Sequence, residues 1–185
     1  MSKIVIISGS PTDNSRLFAL TDHVTNQLEV EGHEVKHINV SELPADALVR
    51  ANFRNSEIIA ANELVAQADA IIIASPVYKA AYTGILKAYL DLLPQKGFEN
   101  KITLPLFIGG TLAHLLAIEY SLKPLVHILG GYTILPGVFA IDEWVDRLEE
   151  GGYHLKESLV DRLTLATNQL HEQLLKLQLN VTVLQ

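Results

Sequence analysis

The stretch Ile4-Val5-Ile6-Ile7-Ser8-Gly9-Ser10-Pro11-Thr12-Asp13-Asn14-Ser15-Arg16 decides how this chain folds. Its opening β-branched run has no polar alternation, which predicts a strand buried on both faces. The run stops at four small or rigid residues. Leu17, Leu20, Val24 and Leu28 then fall on one face of a helix. A strand, a short loop and a helix therefore follow in immediate succession. Such a loop aims free backbone N–H groups and the positive end of a helix dipole at one point. Ser8, Ser10, Thr12, Asn14 and Ser15 add side-chain donors around it, so the loop reads as a phosphate site. The competing reading is a plain turn whose Ser or Asn caps the helix. Gly9 stands alone, without the spaced glycines of a dinucleotide fingerprint or the Gly-Lys-Ser/Thr of a triphosphate loop. A hydroxyl-rich loop of this kind suits a terminal monophosphate better than a pyrophosphate.

Composition narrows the classes. A chain of 185 residues predicts a single domain over 1–185, and 49% hydrophobic residues supply a large core. Mean hydropathy is +0.23, yet no run approaches the roughly 18 apolar residues of a membrane span. The chain enters its first strand at once, so no signal peptide is expected. Cysteine is absent, which excludes disulfides and thiolate metal sites and agrees with a cytoplasmic location. A net charge of −7 argues against a nucleic-acid surface. The histidines, His33 and His37 among them, form no cluster of metal-ligand spacing, so no metal is expected.

Four further strand–helix units follow. Residues 34–40 alternate as an edge strand. Residues 41–56 form a polar connection carrying Pro44, long enough to cover a crevice. A helix over 57–67 precedes an apolar strand over 70–74. The loop Ser75-Pro76-Val77-Tyr78-Lys79-Ala80-Ala81-Tyr82 leads into a helix from Thr83 or Gly84 to about Leu93. A fourth strand over 101–108 ends in Gly109-Gly110-Thr111, and a helix over 112–129 follows. Residues 132–140 make the fifth strand, and residues 141–153 read as irregular. A last helix over 155–174 carries Leu159, Leu163, Ala166 and Leu170 on one stripe. Leu175, Leu177, Leu179, Val181 and Val183 then alternate with polar residues at a strand period. This apolar tail, about 175–185, is expected to pack on another subunit or along an edge. Five strands alternating with five helices predict an α/β, doubly wound, five-stranded parallel sheet of order 2-1-3-4-5. Its ligand crevice lies at the carboxyl ends of strands 1, 3 and 4, where the three unusual loops sit.

The second loop offers a Pro-stiffened backbone, two tyrosines and Lys79. The third offers two residues without side chains, open to a flat ligand. With a phosphate at the first loop, the set describes a planar ring on a phosphorylated tail, and flavin mononucleotide (FMN) fits it. Singly, the tyrosines read equally as rim aromatics, the glycines as a turn and Lys79 as a solvated lysine.

These residues resemble the flavodoxin-like NAD(P)H-dependent FMN reductases. The resemblance rests on Gly9-Ser10-Pro11 with Ser15-Arg16, on Ser75-Pro76-Val77-Tyr78-Lys79 with Gly84-Ile85-Leu86-Lys87, and on Gly109-Gly110-Thr111 with His114. The runs 76–84 and 110–117 are most similar to the alkanesulfonate-utilisation branch. The resemblance covers about residues 3–140 and fades toward the tail.

The resemblance implies that Ser10, Ser15 and Arg16 hold the flavin phosphate, with Ser8, Asn14 and Leu17 around them. It implies that Pro76, Val77, Tyr78 and Lys79 border the ring, and that Gly109, Gly110 and Thr111 meet its pyrimidine end. His114 opens the following helix beside them, either touching flavin or an NADPH phosphate or serving structure alone. One departure stands out. The family commonly has arginine after Gly-Ser-Pro, where this chain has Thr12, so the phosphate loses a charge-assisted partner and FMN is held loosely. Pro124 lacks an N–H, and its ring clashes with the carbonyl of Tyr120, so the helix there is expected to bulge as a π-turn or to kink. The branch is similar in placing a tyrosine in a π-helix at a subunit interface near the flavin.

The implied reaction is hydride transfer from NADPH, or NADH, to FMN. Since the cofactor carries that chemistry, no catalytic side chain is assigned. Reduced FMN is expected to serve a monooxygenase of the sulfonate type, and the chain to assemble as a homodimer or homotetramer. Two rivals stand beside this: a quinone or azo reductase retaining FMN, and an electron-carrier flavodoxin without nicotinamide activity.

Overall fold

The computed structural model describes residues 1–183, with side chains through Leu179. Its centre is a parallel sheet. β1 (Lys3–Ser8), β2 (Glu34–Asn39), β3 (Ala70–Pro76), β4 (Ile102–Gly109) and β5 (Thr133–Ile134) lie in the order β2-β1-β3-β4-β5. β6 (Val138–Ile141) also pairs with β4, further along it. This is the predicted flavodoxin-like order.

Alternation along the strands splits the core in two. Ile4, Ile6, Ala70, Ile72, Leu104 and Leu106 point to one face, under α1 (Leu17–Val30) and α6 (Glu157–Val183). Val5, Ile7, Ile71, Ile73 and Phe107 point to the other. There they meet α2 (Ala45–Val49), α3 (Ser56–Gln67), α4 (Gly84–Leu90) and α5 (Lys123–Ile128). The central strands are thus apolar along nearly their whole length because both of their faces are covered.

Five expectations need correction. Residues 41–56 are not all loop: they include the short α2, whose Ala47 and Leu48 are buried. The fifth strand is two strands, β5 and β6. Pro105 of β4 has no N–H to offer on the side where the Thr103 carbonyl accepts from Leu135 N–H. The neighbouring chain leaves the ladder there through Pro136 and Gly137. Gly137 has φ +81°, and a Cβ on it would lie 2.7 Å from the Pro105 carbonyl oxygen, so only glycine fits.

Residues 112–129 are not one helix. A 3-10 turn, Leu112–His114, is followed by a π-helix, Ile118–Leu122, and then α5. Lys123 N–H donates to the Ile118 carbonyl, five residues back, just before Pro124. The bulge expected at Tyr120 is therefore a π-turn.

Residues 141–153 are ordered as well. A 3-10 turn, Asp142–Trp144, leads into an antiparallel hairpin of β7 (Val145–Arg147) and β8 (Tyr153–Leu155). Finally, α6 runs on through the residues expected to alternate as a strand. Once Leu159, Leu163, Ala166, Leu170 and Leu174 are buried, each further turn extends an existing helix at little cost. Gln178 still faces the body, donating to Ser2 Oγ at 2.7 Å. The last two residues of the tail, and the side chains after Leu179, lie outside what is described.

Candidate functional site

Loop 1 (residues 9–16) leaves β1 and is bolted to the start of α4. Gly9 N–H donates to the Ala74 carbonyl at 2.8 Å, and its own carbonyl accepts from Thr83 Oγ1 at 2.6 Å. A Cβ on Gly9 would sit 2.6 Å from Leu86 Cβ, so the glycine permits this close approach. Ser10 is buried, and its hydroxyl donates to the Thr12 carbonyl at 2.9 Å, fixing the curl of the loop. Ser15 Oγ accepts from Leu17 N–H at 3.2 Å at the mouth of α1. The N–H groups of Asp13, Asn14, Ser15 and Arg16 donate to no acceptor among the described residues. A cluster of free donors at a helix N-terminus is an anion-binding arrangement.

Loop 2 (residues 77–82) is a tight hairpin at the end of β3. Val77 N–H donates to the Ile108 carbonyl at 2.7 Å, and Tyr78 and Ala81 exchange backbone bonds at 2.9 and 3.2 Å. Lys79 and Ala80 at its tip have φ +52° and +65°, the left-handed pair that a type I′ turn demands. Ser75 Oγ accepts from Thr83 N–H at 3.1 Å and closes the loop's base.

Loop 3 follows β4. Gly109 is packed against Phe139 and Val77. A Cβ on Gly110 would meet only Asp142 Oδ2, at 3.8 Å, leaving the space above it open to a ligand.

The three loops border one open cleft. Of the residues singled out in the sequence, Asn14, Ser15, Arg16, Pro76, Val77, Tyr78, Gly109 and Gly110 line it. The rest do not. Ser8 is buried beneath, with no hydrogen-bond partner for its hydroxyl among the described residues. Leu17 is wholly within the core. Lys79 lies at the exposed hairpin tip. Thr111 uses its hydroxyl to cap Ala113 N–H. His114 is half-buried beside loop 3, its Nδ1 without a partner among the described residues. Tyr120 projects from the π-helix, 79% exposed.

Thr12, Ile108, Asp142 and Arg147 also line the cleft. The last two come from the segment read as irregular. Its Gly151-Gly152 between Val145-Asp146-Arg147 and Tyr153-His154-Leu155 is a hairpin signal, the clue that could have brought Arg147 forward. The hairpin is tied to loop 1 by three bonds: Arg16 Nε to the Val145 carbonyl at 2.8 Å, Arg147 Nη2 to the Asn14 carbonyl at 2.7 Å, and Tyr153 Oη to Asn14 Oδ1 at 2.9 Å. Among the described residues, neither guanidinium has a carboxylate within 4.0 Å. One end of the cleft is therefore rich in donors and positive charge. The other presents a stiff backbone edge, an aromatic and an open glycine. A phosphorylated planar ligand such as FMN fits this donor set.

Comparison with known proteins points the same way. Residues 2–146 match the family model described as NADPH-dependent FMN reductase. The chain is 42% identical over 143 residues to FMN reductase (NADPH) of Escherichia coli strain K12, covering 77% of this chain and 75% of that one. It is 30% identical over 144 residues to NADH-dependent FMN reductase SfnF of Pseudomonas fluorescens, covering 76% of each. Among solved structures, the apo form of NADH:FMN oxidoreductase (EMOB) superposes with a TM-score of 0.84 at 32% identity, covering 94% of this chain and 90% of that one.

Proposed function

The chain belongs to the NADPH-dependent FMN reductase family, and from that premise we propose that it is an NAD(P)H-dependent FMN reductase holding flavin across the three-loop cleft. The observation that carries this is the meeting, in one cleft, of unengaged N–H groups and two unpaired guanidiniums with a flat, side-chain-poor edge. Bound flavin supplies the hydride-accepting chemistry. The chain's own residues bind and orient. The N–H groups of residues 13–16, the Ser15 hydroxyl and Arg16 take the phosphate. Backbone from Pro76, Val77 and Tyr78 borders the ring, and Gly110 leaves room for it and for the incoming nicotinamide. Open N–H groups of loop 3 offset negative charge as it builds on the ring.

FMN acts in this reading as a substrate that leaves after reduction, in line with the similar relatives named FMN reductase. The acceptor of the reduced flavin is a monooxygenase of the sulfonate type. NADPH is the preferred donor, following the more similar relatives. The protein assembles as a homodimer or homotetramer. Exposed Leu112, Leu116, Tyr120 and Ile128 along the segment of the π-helix provide an apolar contact face.

The test is oxidation of NADPH followed at 340 nm with excess FMN, together with desalting of protein loaded with flavin. Rapid turnover and loss of flavin are expected. Absence of turnover would return the chain to the carriers, and a flavin that survives desalting would favour the quinone or azo reductase. Light scattering on the eluting peak tests the assembly, and a monomer would refute it.

A further inference from the structure

We propose that Arg147, on the hairpin that follows the sheet, is a phosphate ligand for FMN and the main source of the enzyme's preference for FMN over riboflavin. The inference rests on the reading of loop 1 as the phosphate end of the cleft.

Position 12 is the first reason. Thr12 brings no charge to the phosphate end of the cleft. Arg147 reaches the same place from 135 positions further along the chain. Its Nη2 donates to the Asn14 carbonyl at 2.7 Å, which sets the guanidinium beside the free N–H groups of residues 13–16. It lines the cleft together with Thr12, Asn14, Ser15 and Arg16.

The state of the group is the second reason. One N–H of the fork is engaged, and the rest of it meets no acceptor among the described residues. No carboxylate of the described residues lies within 4.0 Å. In a chain of net charge −7 with 21 acidic residues, two guanidiniums left unneutralised around one loop mark a place kept for an anion. A planar fork meets phosphate oxygens two at a time, which a threonine hydroxyl cannot do.

Its support is the third reason. Tyr153 Oη donates to Asn14 Oδ1, and the Val145 carbonyl accepts from Arg16 Nε, so the hairpin is held at fixed distance from the loop. The position lies just past the matched family segment, 2–146, so family membership does not assign it.

The experiment is a fluorescence-quenching titration with FMN and with riboflavin on the native protein, R147A and R147K, each checked for fold by circular dichroism. The native protein is expected to bind FMN at least about tenfold more tightly than riboflavin. R147A should lose most of that preference by weakening FMN alone, with riboflavin affinity within about twofold of native, and R147K should fall between. FMN binding to R147A at native strength overturns the proposal. So does equal loss of both flavins, which would make Arg147 a support for the hairpin only. A rise in KM for NADPH with FMN binding intact overturns it too, by moving the residue to the nicotinamide cofactor. A native protein that binds both flavins equally instead sinks the reading of loop 1 itself.

Discussion

At the scale of single residues, Thr83 ties the most structure together with one hydroxyl. Its Oγ1 donates to the Gly9 carbonyl and accepts from Leu86 N–H at 3.3 Å, so it caps α4 and joins loops 1 and 2. T83A removes the cap and leaves a buried carbonyl unpaired. It should cost about 2–3 kcal/mol of stability in urea unfolding, with T83S close to native. A loss under 1 kcal/mol would show that the two loops need no such tie. The sequence displayed Thr83 as a helix start, because Thr before Gly-Ile-Leu is a local signal. Its bond to Gly9 spans 74 positions, and nothing local announces it. For Arg147 the local signal, Gly151-Gly152, marks the hairpin but not its place at the cleft. Ser15 and Arg16 were legible because strand, loop and helix are contiguous. Arg147 was not, because it enters the cleft only through a hairpin whose position depends on tertiary contacts.

At the scale of elements, loop 2 stores strain. Ala80 has φ +65°, where an L-residue with a Cβ is disfavoured by about 1–2 kcal/mol. A80G should relieve this, less the entropy that glycine adds to the unfolded chain. The expected net is a gain of about 0.5–1 kcal/mol, or a melting point higher by about 1–4 °C. A lower melting point would mean that the methyl group is itself packed. The elements misread in the sequence share a cause. Periodicity shows that residues 132–140 are apolar and extended, but the break at Pro136 follows from Pro105, a residue on a neighbouring strand. The π-turn was readable, since Pro124 acts on its own helix. The alternation in 175–183 fitted a strand because five residues at period two cannot distinguish a strand from the end of an amphipathic helix.

At the scale of the whole molecule, Ser2 and α6 meet at a buried histidine. His33 Nε2 lies 2.9 Å from His171 Nδ1 on α6, while His33 Nδ1 accepts from Ser2 N–H at 3.3 Å. Burial holds the His33 imidazole below its ordinary value. His171 and the N-terminal ammonium push it the same way, against Glu31 and Asp69. Burial lowers His23 and His37 as well. With the folded values depressed, the unfolded chain takes up protons first as pH falls. Stability should be full above the ordinary value of about 6.5 and decline as pH drops below it, levelling off under the folded values. Urea midpoints measured from pH 7.5 to 5.5 check this, and a midpoint rising toward pH 5.5 would refute it. H33N should flatten the decline. The sheet order needed no such long-range knowledge, because five apolar runs separated by helical stretches leave few ways to wind.

The late position of α6 bears on synthesis. Leu159, Leu163, Ala166, Leu170 and Leu174 cover the sheet face formed by Ile72, Leu104 and Leu106. Until this segment has been made, one side of the sheet stands bare and sticky. A chain stopped at residue 156 is expected to accumulate in the pellet or on chaperones. Its recovery as a soluble monomer would show that the sheet tolerates an open flank.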